Sequence, residues 1–191
     1  MESLRDCFEK SIQRIGLKTL PCAVFYTASS GIRFQIGGDE EIYLGDHRKP
    51  NGAYIENAVD RALKIYVQLP AAPDILRIDD CPNLSIPGLP KPDQIVGNSS
   101  YWSIPKEPVF LRKLFREIVK AEIDSTGIEN LVSNVYFLNS RKDVLFHLYD
   151  DRGADVVAAD KEILRHLYES CKDWILDYDR EKIDETFRLC E

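Results

Sequence analysis

Leu4, Phe8, Ile12 and Ile15 recur every three or four residues and Gly16 follows them, which predicts a first helix over residues 2–15. Two short β-rich runs come next, residues 22–26 and 32–36, with Ala28, Ser29, Ser30 and Gly31 between them as a hairpin turn. In the second run Ile32, Phe34 and Ile36 alternate with Arg33 and Gln35, the period of a half-buried strand. Residues 37–52 are polar and loop-like. Asn51 then caps a second helix on which Ile55, Ala58, Val59, Ala62, Leu63 and Tyr66 share a face. Pro70 and Pro73 end that pattern ahead of a short strand at residues 75–78.

Residues 79–108 hold six of the ten prolines, so they read as a long ordered loop, with an edge strand at Tyr101, Trp102, Ser103 and Ile104. Pro108 opens a third helix carrying Phe110, Leu111, Leu114, Phe115, Ile118 and Val119. Three strands follow, at residues 134–139, 144–149 and 154–158. Asp160 caps a fourth helix with Ile163, Leu164, Leu167, Tyr168 and Cys171 on one face, and Asp179 caps a fifth with Ile183 and Phe187. Trp174, at the joint between them with Ile175, Leu176 and Tyr178, is expected to plug the core. Tight turns join most of the strands, so the sequence predicts an α+β fold: a mainly antiparallel sheet with helices covering one face.

At 191 residues, 44% of them hydrophobic, the chain is long enough for one domain with its own core, spanning residues 1–191. The net charge of −7 is unevenly placed: residues 1–142 hold 18 basic and 18 acidic side chains, and residues 143–191 hold 7 and 14. An acidic end steers basic partners, and the overall balance argues against nucleic acid or an anionic membrane. Cys7, Cys22, Cys81, Cys171 and Cys190 are odd in number and show no C-x-x-C spacing, so neither a disulfide framework nor a zinc site is indicated. The first residues have no apolar signal-peptide core, and no apolar run reaches 18 residues, which points to the cytoplasm.

Motifs for common chemistries are absent. No phosphate-binding glycine loop and no G-x-S-x-G occurs, so no cofactor is expected and no residue is assigned as catalytic. His47, His147 and His166 lack a placed partner and read as structural or solvent-exposed. The run from Asp150 to Asp155 resembles a calcium loop but lacks the spacing and the terminal glutamate, so no metal is assigned. Asp150, Asp151, Arg152 and Gly153 read instead as a hairpin turn, with aspartate bonding the turn backbone, Gly153 supplying positive φ and Arg152 at the tip.

The C-terminal third carries a further signal. Leu148, Tyr149, Asp150, Asp151, Arg152, Gly153, Ala154, Asp155, Val156, Val157 and Ala158, then Leu164, Leu167 and Tyr168, then Asp173 to Arg180, with Ile183, Asp184 and Phe187, make a pattern across residues 144–188. It resembles that of the bacterial family named domain of unknown function 3885. Ile32 to Gly37 and Arg61-Ala62 resemble other recurring pieces of that family. The resemblance transfers a fold and no catalytic residue. Because some relatives are encoded near secreted polymorphic toxins, it also implies an immunity role.

The resulting expectation is a non-enzymatic protein-binding domain, an immunity protein that sequesters a basic toxin through its acidic C-terminal region. Its contact residues would be Asp150, Asp151, Arg152, Asp155, Asp177 and Asp179. One alternative is a metal-dependent hydrolase or nuclease drawing on Asp143, Asp155, Glu162 and Lys161. Another is a regulatory domain that binds a peptide at the sheet edge near Tyr101 and Trp102.

Overall fold

A computed structural model describes residues 2–45, 49–81, 84–105, 108–124, 128, 131 and 134–188. His47 and Cys190 therefore lie outside the described residues. Helix α1 (Leu4–Ile15) starts where the Ser3 side chain accepts from the Asp6 N–H, and it ends at Gly16 with φ 89°. Helix α2 (Gly52–Val67) is capped by Asn51, whose side chain accepts from the Ala53 N–H. Helix α3 (Leu111–Lys120) packs beside α2. A 3₁₀ turn (Lys161–Leu164), capped by Asp160, runs into the short α4 (Arg165–Ser170), and α5 (Arg180–Phe187) closes the described chain.

The strands are β1 (Gly31–Gln35), β2 (Tyr43–Leu44), β3 (Lys49–Pro50), β4 (Ile75–Asp79), β5 (Gln94–Val96), β6 (Ser99–Ser103), β7 (Val135–Asn139), β8 (Val144–Leu148) and β9 (Gly153–Ala158). β2 and β3 form a separate small ladder. The other seven make one antiparallel sheet in the order β1-β9-β8-β7-β4-β6-β5, so the fold is α+β as the pattern predicts. Phe34, Leu76, Phe137, Phe146 and Val156 face α2 and α3 in the larger apolar cluster. Tyr66, Phe115, Phe137 and Phe146 meet there with ring centroids 5.5–5.9 Å apart.

The opposite face is also covered. Ile75, Leu138, Leu145 and Val157 meet Phe8, Ile12 and Ile15 of α1, so helices lie on both sides of the sheet. Beside that apolar row runs a polar one. Direct cross-strand partners place Arg33, Asp155, His147, Tyr136, Arg77, Tyr101 and Gln94 in one line across all seven strands. His147 is buried in this row and stacks on Tyr136 at 4.5 Å, in keeping with a structural histidine.

Three expectations need correction. Residues 22–26 form no strand; Val24–Tyr26 is a 3₁₀ turn, because the Phe25 N–H donates to the buried Asp155 carboxylate at 3.0 Å. β1 therefore pairs with β9 and has no hairpin partner before it. β1 is buried on both faces except at Gln35, since Arg33 points into the polar row rather than to water. The Tyr101–Trp102 strand is internal: β5 covers it and forms that edge of the sheet, with Ile95 exposed.

Candidate binding surface

The β8–β9 hairpin shows the predicted turn chemistry. The Asp150 carboxylate accepts from the main-chain N–H of Arg152 at 2.7 Å and of Gly153 at 3.3 Å. The Arg152 guanidinium returns to the same carboxylate, with Nε to Oδ2 at 2.8 Å, and its side chain stays 70% exposed at the tip. Gly153 is not among the residues with positive φ. Glycine is required there by space. A Cβ would fall on the Tyr149 hydroxyl and 2.8 Å from the Phe34 carbonyl oxygen.

Asp151 turns inward and accepts from the Tyr54 hydroxyl at 2.7 Å. Burial, then the neighbouring Asp150, pushes its carboxyl above the usual carboxylate range, and the Tyr54 bond only partly offsets this. The folded chain thus holds that proton more tightly than the unfolded chain does. Its contribution to stability is complete below the ordinary carboxylate pKa and is lost as pH rises through the folded value. Asp151→Asn, which still accepts from Tyr54, is expected to flatten this part of the stability profile. Urea unfolding between about pH 4 and 7 measures it, and an unchanged slope would exclude Asp151 as the source.

Asp155 stands next to Arg33 in the polar row, with 0% exposure. Arg33 donates to it through Nε at 2.8 Å and Nη2 at 3.2 Å. Burial pushes the Asp155 carboxyl up, while Arg33 and the Phe25 amide pull it down. Burial opposes the Arg33 charge as well, yet contact with Asp155 holds the guanidinium above its ordinary value. Arginine does not release its proton at any ordinary pH, so Asp155 faces a fixed cation across this two-point contact. The guanidinium also lies 4.5 Å from the Tyr26 ring centroid and 5.0 Å from that of Tyr149.

Asp179 does not cap α5 through its side chain. Its carboxylate accepts from the Tyr26 hydroxyl at 3.1 Å and sits 3.9 Å from Arg33 Nη1, which ties the C-terminal segment to β1. Ile175 bridges to Phe34 and the Leu176 N–H donates to the Arg33 carbonyl at 3.0 Å, so residues 175–176 lie along the outer edge of β1. Ile175 is buried in the core as expected, and Trp174 is half-buried, packed against it beside α2.

Of the six candidate contact residues, only Arg152 and Asp177 reach solvent, with Asp177 92% exposed. Asp150, Asp151, Asp155 and Asp179 are buried and hold the hairpin, α2, β1 and the C-terminal segment together. The six do not make one exposed acidic face. A cleft of about 420 Å³ does gather Arg33, Tyr149, Asp150 and Arg152 with Leu176, so hairpin tip and C-terminal segment share its walls.

The exposed acidity is carried instead by Asp160, Glu162, Glu169, Asp173, Asp177, Glu181 and Glu185. Among them stands Tyr178, expected in the core beside Trp174 but 86% exposed.

The carboxylates named for a nuclease site are separated. Asp143 pairs with Arg14 at 2.7 Å, Asp155 with Arg33, and Glu162 with Arg165 at 2.7 Å, while Lys161 donates to the Thr186 carbonyl. Among the described residues, one carboxylate trio, Glu122, Asp150 and Asp151, brings ligand atoms within 4.8 Å of one another. Arg152 occupies that trio, pairing with Asp150 and lying 3.7 Å from Glu122. Among the described residues no helix is long and apolar enough to cross a membrane.

A seven-stranded antiparallel sheet, its polar row bolted to a C-terminal helical cap, defines an α+β domain. The chain belongs to the family described as domain of unknown function (DUF3885), which matches residues 83–179, just over half of it. The match takes in the hairpin and most of the cap, and it leaves β1, α2 and α5 outside. The chain is 47% identical over 45 residues to the uncharacterized protein YnaE of Bacillus subtilis (strain 168). That alignment covers 24% of this chain and 21% of YnaE, so the chain matches about a fifth of that relative's length. No solved structure matches it.

Proposed function

We propose that this chain is a non-enzymatic protein-binding domain whose acidic C-terminal cap sequesters a basic partner, as an immunity protein holds a bacterial toxin. The observation that carries the reading is Tyr178: a large aromatic left 86% exposed by the fold, on a C-terminal segment whose exposed acidic positions include Asp173, Asp177 and Glu181. Tyrosine is enriched among the few residues that supply most of the binding energy at interfaces, and surrounding charge sets encounter rate and partner choice. Arg152, fixed at the hairpin tip by Asp150, supplies a second rigid contact. The cytoplasm is the proposed setting. Cys171 is buried as an apolar side chain, with its thiol pushed up to about 11 by burial, and none of the described cysteines forms a disulfide.

The test is titration calorimetry against the protein encoded next to this one, at about 0.05 M and 0.5 M salt. A complex is expected at the lower salt, weaker at the higher. Tyr178→Ala should weaken it at least about tenfold and leave the melting temperature unchanged, since the side chain is almost wholly in water. No complex at either salt overturns the reading, and so does an affinity indifferent to Tyr178.

A further inference from the structure

We infer that the cleft between the β8–β9 hairpin tip, residues 22–23 and Leu176 binds one interior residue of a peptide: a compact apolar side chain with its uncharged amides. Its volume of about 420 Å³ falls within the range of small-molecule sites at roughly 300–1,000 Å³. The inference rests on this cleft alone and does not depend on Tyr178 or on the partner proposed for it.

Its polar wall is built from side chains that the fold holds in place. Arg33, 8% exposed, gives Nε and Nη2 to Asp155, which leaves Nη1 3.9 Å from Asp179, beyond hydrogen-bond reach. Tyr149 stands beside it, and its hydroxyl has no hydrogen-bond partner among the described residues. That hydroxyl is not sealed in the interior, and Tyr149 lines the cleft. Burial holds the phenol well above its ordinary range, so it keeps its proton and donates. The carboxylates nearby are already engaged. Asp150 accepts from two hairpin amides and Arg152, Asp155 from the Phe25 N–H and Arg33, and Asp179 from Tyr26.

Donors are open here and acceptors are filled, so the cleft complements a hydrogen-bond acceptor such as an amide carbonyl. A carboxylate matches poorly, because three aspartates, Asp150, Asp155 and Asp179, already answer the two guanidinium groups of Arg33 and Arg152. An ammonium matches no better, since it needs carboxylate oxygens that are in use. An amide brings no charge to desolvate, and it suits a hydroxyl that can both donate and accept. The remaining walls, Ala23, Leu176 and the Tyr149 ring, are apolar and suit an aliphatic side chain.

The probe is N-acetylleucinamide, an uncharged leucine with an amide on each side, added to the full chain while N-ethylmaleimide alkylates Cys22. Cys22 is exposed and lines the same cleft, so its alkylation rate, read at that residue by mass spectrometry, reports occupancy. Saturable protection is expected, half-complete at about 1–10 mM. N-acetylleucine carries a carboxylate in place of one amide, and leucinamide an ammonium in place of the other. Each should protect at least about fivefold less tightly. Tyr149→Phe keeps the ring and should weaken the probe about fivefold. The melting temperature should not change, since no described residue bonds that hydroxyl. Protection that only rises linearly to about 50 mM overturns the inference. So does a charged probe held as tightly as the neutral one, an affinity indifferent to Tyr149→Phe, or a fall in that variant's melting temperature.

Discussion

Asp155→Ala is expected to lower the free energy of unfolding by about 3–5 kcal/mol, the usual result of removing one partner from a buried ion pair. The substitution leaves the Arg33 guanidinium inside the protein with Asp179 at 3.9 Å as its remaining carboxylate, and it strands the Phe25 N–H. The damage spreads by way of these contacts. The 24–26 turn loses its anchor, and with it the Tyr26 hydroxyl that reaches Asp179 and ties down the cap. Against a total stability of roughly 5–15 kcal/mol this is a large fraction, and guanidinium unfolding reads it directly. The contrast is Asp177→Ala, 92% exposed and paired with Arg180 at the surface, which should stay within about 0.5 kcal/mol. Replacing both partners, Arg33→Met with Asp155→Leu, should recover much of the loss, because the desolvation of two charges goes with them. A loss under about 1 kcal/mol in the single variant would mean that the pair does not organise this end of the sheet.

That pair also marks where the sequence stops being legible. Helices α1, α2 and α3 and the β7–β8–β9 meander follow from periodicity, because each is set by residues close together in the chain. The pairing of β1 with β9 joins segments more than 100 residues apart, and no local pattern announces it. Arg33 between Ile32 and Phe34 reads as the wet side of a half-buried strand. It turns inward only because Asp155 waits on the neighbouring strand at its direct cross-strand position. One sign was available: each is a single charge inside an apolar run, and the two are of opposite sign. The Asp-Arg-Gly turn was legible for the opposite reason, since Asp150 satisfies amides two and three residues away.

The same distinction governs the acidic surplus. Counting side chains locates it correctly in residues 143–191, but counting cannot tell a carboxylate that folds the chain from one that faces a partner. Four of the five candidate aspartates sit where main-chain amides, tyrosine hydroxyls or arginines claim them. The field a partner meets comes from the cap's outer helical positions, Glu162, Glu169, Asp173, Asp177, Glu181 and Glu185, several of them balanced by exposed Lys172 and Lys182 nearby in the chain. Steering by such a patch is short-ranged at physiological salt, where screening acts over about 8 Å, so a local aromatic contact has to supply the affinity.

Gly153→Ala is expected to destabilise by about 1–3 kcal/mol through overpacking rather than through backbone strain. Gly153 stands opposite Gln35 where β9 meets β1, and its N–H is held by Asp150. The added methyl would meet the Tyr149 hydroxyl on one side and the Phe34 carbonyl on the other. The carbonyl belongs to a strand pinned between β9 and the C-terminal segment, so the tyrosine is the part that must give. Its ring lies 5.0 Å from the Arg33 guanidinium, and displacing it disturbs the packing around the buried ion pair. Tyr149→Phe removes the colliding oxygen. Combined with Gly153→Ala it should return part of the loss, giving a favourable coupling energy in a double-mutant cycle measured by chemical unfolding. If glycine were needed for its dihedral freedom, the hydroxyl would be irrelevant and the two effects would add. Strict additivity would therefore refute the steric account and free Tyr149 from any part in excluding a side chain at the hairpin.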